Sequence, residues 1–214
     1  MTDPAEFIRA NTALVAPPLV PEIHLHLATE VVPLWRKTEE ELATEGIPPP
    51  YWAFAWAGGQ ALARYLLDHR EEVADRTVLD FGSGSGLVAI AAAKAGAARL
   101  IANDVDGLAA AAITLNAKAN DIRLEVSHDD CIGSTEDWDV ILLGDMCYER
   151  PLVERLLPWL RACAASGTRV LLGDPGRNYF PSTGIENLAT YCVQTTHELE
   201  DREVRETGVY ALLP

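Results

Sequence analysis

The sequence predicts a doubly wound, Rossmann-like α/β sheet, mostly parallel and closed at its C-terminal end by an antiparallel hairpin. Three observations lead there. From residue 58 onward short apolar runs alternate with Ala-rich stretches of helix length, the pattern of strand–helix–strand units with right-handed crossovers. A glycine-rich loop, Gly82-Ser83-Gly84-Ser85-Gly86, joins one such run to the helical stretch after it. The run Val-Ile-Leu-Leu within 138–144 is apolar throughout, as suits a strand buried on both faces.

The elements follow in order. Asp3-Pro4-Ala5-Glu6 starts a helix, with a capping Asp, Pro at the first helical position and Glu three residues after the cap. Prolines 17, 18 and 21 break the chain, and Ile23 to Leu27 alternates with period two as a short half-buried strand. His24 and His26 share its polar face without a third ligand nearby, so no metal site is expected. Glu39-Glu40-Glu41 is an exposed charged face and Pro48-Pro49-Pro50 ends the region. Residues 1–50 thus form an N-terminal extension packing on a core domain over 51–214. In that domain, Leu62, Tyr65, Leu66 and His69 have helical spacing over 59–69. Strands are expected at 77–81, 99–103, near 122–126, at 138–144 and at 168–173. Helices are expected at 87–95, 107–119 and 151–164, the last kinked by Pro158. Two strand-like stretches, 193–199 and 204–212, flank the charged Glu200-Asp201-Arg202 and make the closing hairpin.

Composition bounds the function. The chain of 214 residues is long enough for one ordinary domain. Seventeen basic against thirty-two acidic side chains leave a net charge of −15, which repels nucleic acid and anionic membrane and accommodates a basic protein or a small molecule. No apolar run approaches the ~20 residues that cross a bilayer. The first residues lack the basic start and apolar core of a signal peptide, and the Arg-rich character of a transit peptide. Cys131, Cys147, Cys163 and Cys192 lie 16, 16 and 29 residues apart, so none has C-x-x-C spacing, and they read as reduced thiols in a cytoplasmic protein.

The loop at Asp80-Phe81-Gly82-Ser83-Gly84-Ser85-Gly86 carries the first chemistry. Glycines at alternate positions permit a tight turn and close approach of backbone to a ligand, and the next helix start points its N–H groups there. A dinucleotide fingerprint would put its third glycine at position 87, where Leu87 stands. The G-x-G-x-G spacing, with Asp80 before it, instead resembles the S-adenosylmethionine loop of class I methyltransferases. Asp104 follows the second predicted strand, twenty residues after Gly84. There it can accept hydrogen bonds from both hydroxyls of an unphosphorylated ribose, or cap the next helix. Asp129 and Asp130 lie after the third strand, where either can reach an adenine amino group or sit in a surface loop.

The second chemistry sits in Gly144-Asp145-Met146-Cys147-Tyr148. Methyl transfer is an in-line displacement, accelerated by alignment and desolvation. A carboxylate and a phenol three residues apart can bind and orient an amine, although a nearby acid also favours its charged form. The alternative for Asp145 is capping of the following helix. Gly173-Asp174-Pro175-Gly176-Arg177 is a Pro-Gly turn from which Asp174 or Arg177 can contact substrate. Trp52 and Trp56 are core aromatics or a lid on the cofactor.

Taken in order, Tyr51-Trp52-Ala53-Phe54-Ala55-Trp56-Ala57-Gly58-Gly59-Gln60-Ala61-Leu62, the Gly loop, Ala102-Asn103-Asp104 and both Gly-Asp motifs resemble the electron-transfer flavoprotein β-subunit lysine methyltransferases, within the seven-β-strand protein lysine methyltransferases. The resemblance runs from about Pro21 to the C-terminus. It implies S-adenosylmethionine as cofactor, held by Trp56, Gly82, Gly84 and Asp104, and substrate-lysine contact by Asp145 and Tyr148. It implies a protein substrate, with electron-transfer flavoprotein β-subunit first; the family's eukaryotic members are mitochondrial, and the missing transit peptide suggests a bacterial member. Another protein (such as a ribosomal protein), a small amine, or a silent methyltransferase-like binding module are the competing readings.

Overall fold

A computed structural model of the chain describes residues 3–28, 49–195 and 203–214. Seven strands form the main sheet: β3 (Thr77–Phe81), β4 (Arg99–Asn103), β5 (Glu125–Ser127), β6 (Val140–Gly144), β7 (Arg169–Asp174), β8 (Ile185–Gln194) and β9 (Val204–Leu212). Their spatial order is β5-β4-β3-β6-β7-β9-β8. The first five are parallel, and β9 pairs antiparallel with both β7 and β8. The chain leaves β3 toward β4 and later returns to β6 on the other side of β3. The crevice beyond the carboxyl ends of β3 and β6 is therefore the topological switch point, where open α/β sheets bind ligands.

The central strands are buried on both faces, as their continuous apolar sequence demands. Val140 and Leu142 pack with Leu62, Leu66 and Ile113 on one face, whereas Ile141 and Leu143 pack with Leu156, Trp159 and Leu160 on the other. The helices beside the sheet are α2 (Ala57–Asp68), α3 (Leu87–Ala95), α4 (Gly107–Ala119) and α5 (Arg150–Ala165). Helix α5 continues through Pro158, which lies on its exposed side.

The first segment lies against α4 and α3. Helix α1 (Pro4–Asn11) is capped by the Asp3 side chain, which accepts from the Ala5 amide, and it buries Ile8 with Trp52, Ala109, Ala112 and Leu115. Strand β1 (Ala13–Val15) pairs antiparallel with β2 (Leu25–Leu27). Val20, Ile23 and Leu25 pack against Leu87, Ile90 and Ala91. Side-chain amides of α4 replace a neighbouring strand for β2. Asn116 Oδ1 accepts from the His26 amide at 2.7 Å, and Asn120 exchanges two bonds with the His24 backbone at 3.0 and 2.7 Å.

Strands 77–81 and 99–103 and helices 87–95 and 107–119 have the expected bounds. Three elements differ by more than two residues at an end or are new. The strand expected near 122–126 begins only at Glu125, because Asp121 takes a left-handed turn with φ 57°. Strand β1 was not signalled at all. The first arm of the closing hairpin is Ile185–Gln194 rather than 193–199, and a bulge at Asn187/Ala189 interrupts its register. Glu39-Glu40-Glu41 and Glu200-Asp201-Arg202 lie outside the described residues.

Candidate active site

The crevice is a cleft of about 570 Å³. It is lined from β3 by Gly82 and Gly84, from β4 by Asp104, from β6 by Asp145 and Tyr148, and from the segment after β7 by Arg177.

The Gly loop turns with φ of 65°, 53° and 82° at Gly82, Gly84 and Gly86, conformations that side chains resist. A Cβ on Gly82 would strike Met146, so that glycine lets the loops after β3 and β6 meet. Gly86 lies away from the cleft at the start of α3, with Ile113 behind it. Asp80 also stays out of the cleft. Its Oδ2 accepts from Ser83 Oγ and from the Ala89 amide at 3.0 Å, tying the loop to α3. Burial pushes its carboxyl up to about 7.

Asp104 does face the cleft. Its Oδ2 accepts from the Gly84 amide at 2.9 Å and its Oδ1 from the Asp106 amide at 3.0 Å. Asp106, rather than Asp104, caps α4. Burial raises the Asp104 carboxyl above its ordinary value. Of the two later acids, Asp130 lines the cleft and is paired with Arg155. The exposed Asp129 carboxylate accepts from Ser127 Oγ. Asn103 Nδ2, donating to the Asp129 carbonyl at 2.9 Å, anchors that loop and was not foreseen from sequence.

Asp145 lies on the cleft floor, buried, with φ 58°. It does not cap the following helix, since Glu149 occupies that position. Its Oδ2 instead accepts from the Gly58 and Gly59 amides at 2.5 and 3.1 Å, at the start of α2. Its Oδ1 accepts from Arg177 Nε at 2.9 Å and Nη2 at 2.6 Å. Glycines let these partners converge. A Cβ on Gly58 or Gly173 would enter the other's carbonyl, and one on Gly144 would lie 2.9 Å from Gly59 Cα. This close packing is the physical reason for the Gly-Gly and both Gly-Asp dipeptides.

Asp174 is buried behind the cleft and shapes the turn that aims Arg177. Its Oδ1 accepts from the Gly176 and Arg177 amides, both at 2.7 Å. Burial pushes it up to about 7. Arg177 lines the cleft, its guanidinium 5.6 Å from the Trp56 ring centroid. Trp56 Nε1 donates to the Tyr51 carbonyl at 2.9 Å, and the Tyr51 ring lies 5.5 Å from that of Tyr148. Trp52 is buried against α4 and reaches the cleft wall. Partial burial pushes the Tyr148 phenol up to about 12, and burial does the same to the Cys147 thiol. Both stay protonated at neutral pH. Among the described residues, no cluster of three His, Cys, Asp or Glu side chains could hold a metal ion, and no helix is long and apolar enough to cross a membrane.

The cleft fits an adenosyl amino acid. Two bare glycines leave its floor open to a ligand, Asp104 retains lone pairs for ribose hydroxyls, and the wall is largely apolar around Ile132, Phe81 and Val105. Fold and site together define a class I S-adenosylmethionine-dependent methyltransferase. Residues 60–145 match the family model "Ribosomal protein L11 methyltransferase (PrmA)". The electron transfer flavoprotein beta subunit lysine methyltransferase of Danio rerio is 46% identical over 86% of this chain and 71% of its own. Its Xenopus laevis counterpart is 40% identical over 100% of this chain and 88% of its own. The chain belongs to this electron transfer flavoprotein beta subunit lysine methyltransferase family. The fold recurs in ribosomal protein L11 methylase from Lactobacillus delbrueckii, at a TM-score of 0.53 and 20% identity over 74% of this chain and 79% of that one. It recurs also in magnesium protoporphyrin IX methyltransferase from Synechocystis with bound cofactor, at 0.53 and 14% over 72% and 77%.

Proposed function

We propose that this chain methylates lysine side chains of the electron transfer flavoprotein β-subunit. One observation carries the reading: the carboxylate of Asp145 and the phenol of Tyr148 share a cleft with the Gly loop and Asp104, in a chain of this family. From the lining of the cleft, Asp104 would accept from the ribose, Gly82 and Gly84 would admit the amino-acid end, Trp56 would cover it, and Asp130 would face the adenine. Asp80, Gly86, Asp174 and Asp129 shape these loops without facing the ligand. S-adenosylmethionine supplies a methyl group on a sulfonium, and the leaving pair stays on sulfur. Tyr148 orients the lysine nitrogen toward that methyl above the cleft floor that Asp145 builds with Gly58, Gly59 and Arg177; the new N–C bond replaces the S–C bond, and the amine's proton goes to water. The acidic surface, at a net charge of −15, suits a basic protein substrate better than nucleic acid or an anionic membrane. Four unpaired thiols suit a reducing compartment such as the cytoplasm.

The test is transfer of labelled methyl to purified electron transfer flavoprotein by wild type and Asp145→Asn. Label is expected on a lysine of the β-subunit, with transfer reduced about 100-fold in the variant. Label on ribosomal proteins or small amines instead would refute the substrate. Tight cofactor binding with no transfer to any of them would favour a silent binding module.

A further inference from the structure

A carboxylate beside a target lysine creates a difficulty: it stabilises the ammonium form, which has no lone pair to attack with. The floor of this cleft contains an answer. Asp145 accepts two hydrogen bonds on each oxygen, two from the first amides of α2 and two from Arg177. A carboxylate offers about four such positions, so its acceptor capacity is filled. The start of α2 adds partial positive charge to the full charge of the guanidinium. Arg177 is itself held in place. Its amide is tied to Asp174, Gly176 before it sits at φ 85°, and its guanidinium lies over Trp56. Side-chain exposure is 17% for Arg177 and 7% for Asp145, so water screens the pair weakly.

We propose that Arg177 is a positioning residue that cancels the charge of Asp145, so that the target amine sits in the cleft unprotonated. The proposal rests on the lysine reading above. Among the described residues, Asp174 packs against the pair, and its carboxyl, pushed up to about 7, adds a negative charge of its own above that pH. From α2 come only Gly58, Gly59 and Trp56, from β7 the buried Asp174, and from the β6 loop the neutral Cys147 and Tyr148, with Tyr51 across from Tyr148. Asp104 faces the cleft from β4 with two backbone donors of its own, and Glu149 is exposed beyond Tyr148. Removing Arg177 would leave the Asp145 charge to act on the amine alone.

The test is kcat, at saturating substrate so that it reports groups within the complex, for methylation of purified electron transfer flavoprotein from pH 6 to pH 10, with wild type, Arg177→Gln and Arg177→Lys. The rising acid limb reports the amine's deprotonation. Arg177→Gln is expected to move that limb up by about one pH unit, a loss of about tenfold at neutral pH that alkali recovers. Arg177→Lys keeps the charge and should hold the limb near wild type. An unmoved limb in Arg177→Gln overturns the proposal. So does a lower KM with the limb unmoved, which would make Arg177 a plug that the substrate ammonium displaces. If Arg177→Gln does not fold, Arg177→Lys decides alone, and a limb displaced by a full unit overturns the proposal. A wild type that leaves the β-subunit unlabelled rejects the substrate reading itself, an outcome distinct from labelling with an unmoved limb.

Discussion

At the residue scale the site depends on carboxylates that do different work at similar depth. Asp104 holds the Gly84 amide and still faces the cleft, so a ribose bound there would be coupled to the loop's shape. Asp104→Asn keeps the size of the side chain but loses charge-assisted bonding to the hydroxyls. Affinity for S-adenosylmethionine, measured by calorimetry, should fall about tenfold or more, a difference of about 1.4 kcal/mol, with the melting temperature little changed. Asp104, Asp145 and Tyr148 were legible in the sequence because each stands at a fixed offset from a strand end. Their partners were not. Arg177 is 32 residues and Gly58 is 87 residues from Asp145; the register of β6 on β7 brings the first to it, and the packing of α2 on those strands brings the second. The glycine dipeptides were visible as a motif, but not which backbone each one admits.

At the element scale, strands buried on both faces announced themselves through continuous apolar sequence, and β3, β4 and their helices were read to the residue. The closing hairpin resisted for a physical reason. Strand β8 lies at the sheet edge, nine of its ten residues are partly or fully exposed, and a bulge shifts its alternation partway along. Period-two patterning has little to act on there. Helix α5 poses the opposite case, a proline tolerated inside a helix because Val153, Leu156, Trp159 and Leu160 bury the other face. Pro158→Ala restores the donor toward the Glu154 carbonyl and relieves the ring's clash there. Part of that gain is lost to the freer unfolded chain. Thermal and urea unfolding should show a gain of about 1 kcal/mol, with methyl transfer unaffected.

At the scale of the whole molecule, burial of Asp80 and Asp174 links folding to pH. Both carboxyls are pushed up to about 7 in the folded chain from a reference of 3.8. The folded state therefore holds more protons than the unfolded state between those values. Their contribution to stability is present at low pH and is lost as pH rises through 7. Urea midpoints should fall between pH 6 and pH 8 by the equivalent of about 2 kcal/mol. Asp80→Asn, which cannot ionise, should remove about half of that slope while its amide oxygen still accepts from Ala89. A slope unchanged in Asp80→Asn would mean that Asp80 is already charged in the native protein.

The left-handed backbone at Asp145 constrains what evolution can write there. Among side-chain-bearing residues, Asn and Asp tolerate that conformation most readily, and glycine tolerates it with nothing to offer. Asn would present an amide nitrogen to a guanidinium or to a row of backbone donors. Glu would carry the charge one carbon too far, on a backbone it disfavours. The codon at this position is thus confined from two directions at once, by chain geometry and by charge. Drift there should be near zero even in descendants whose substrate has changed.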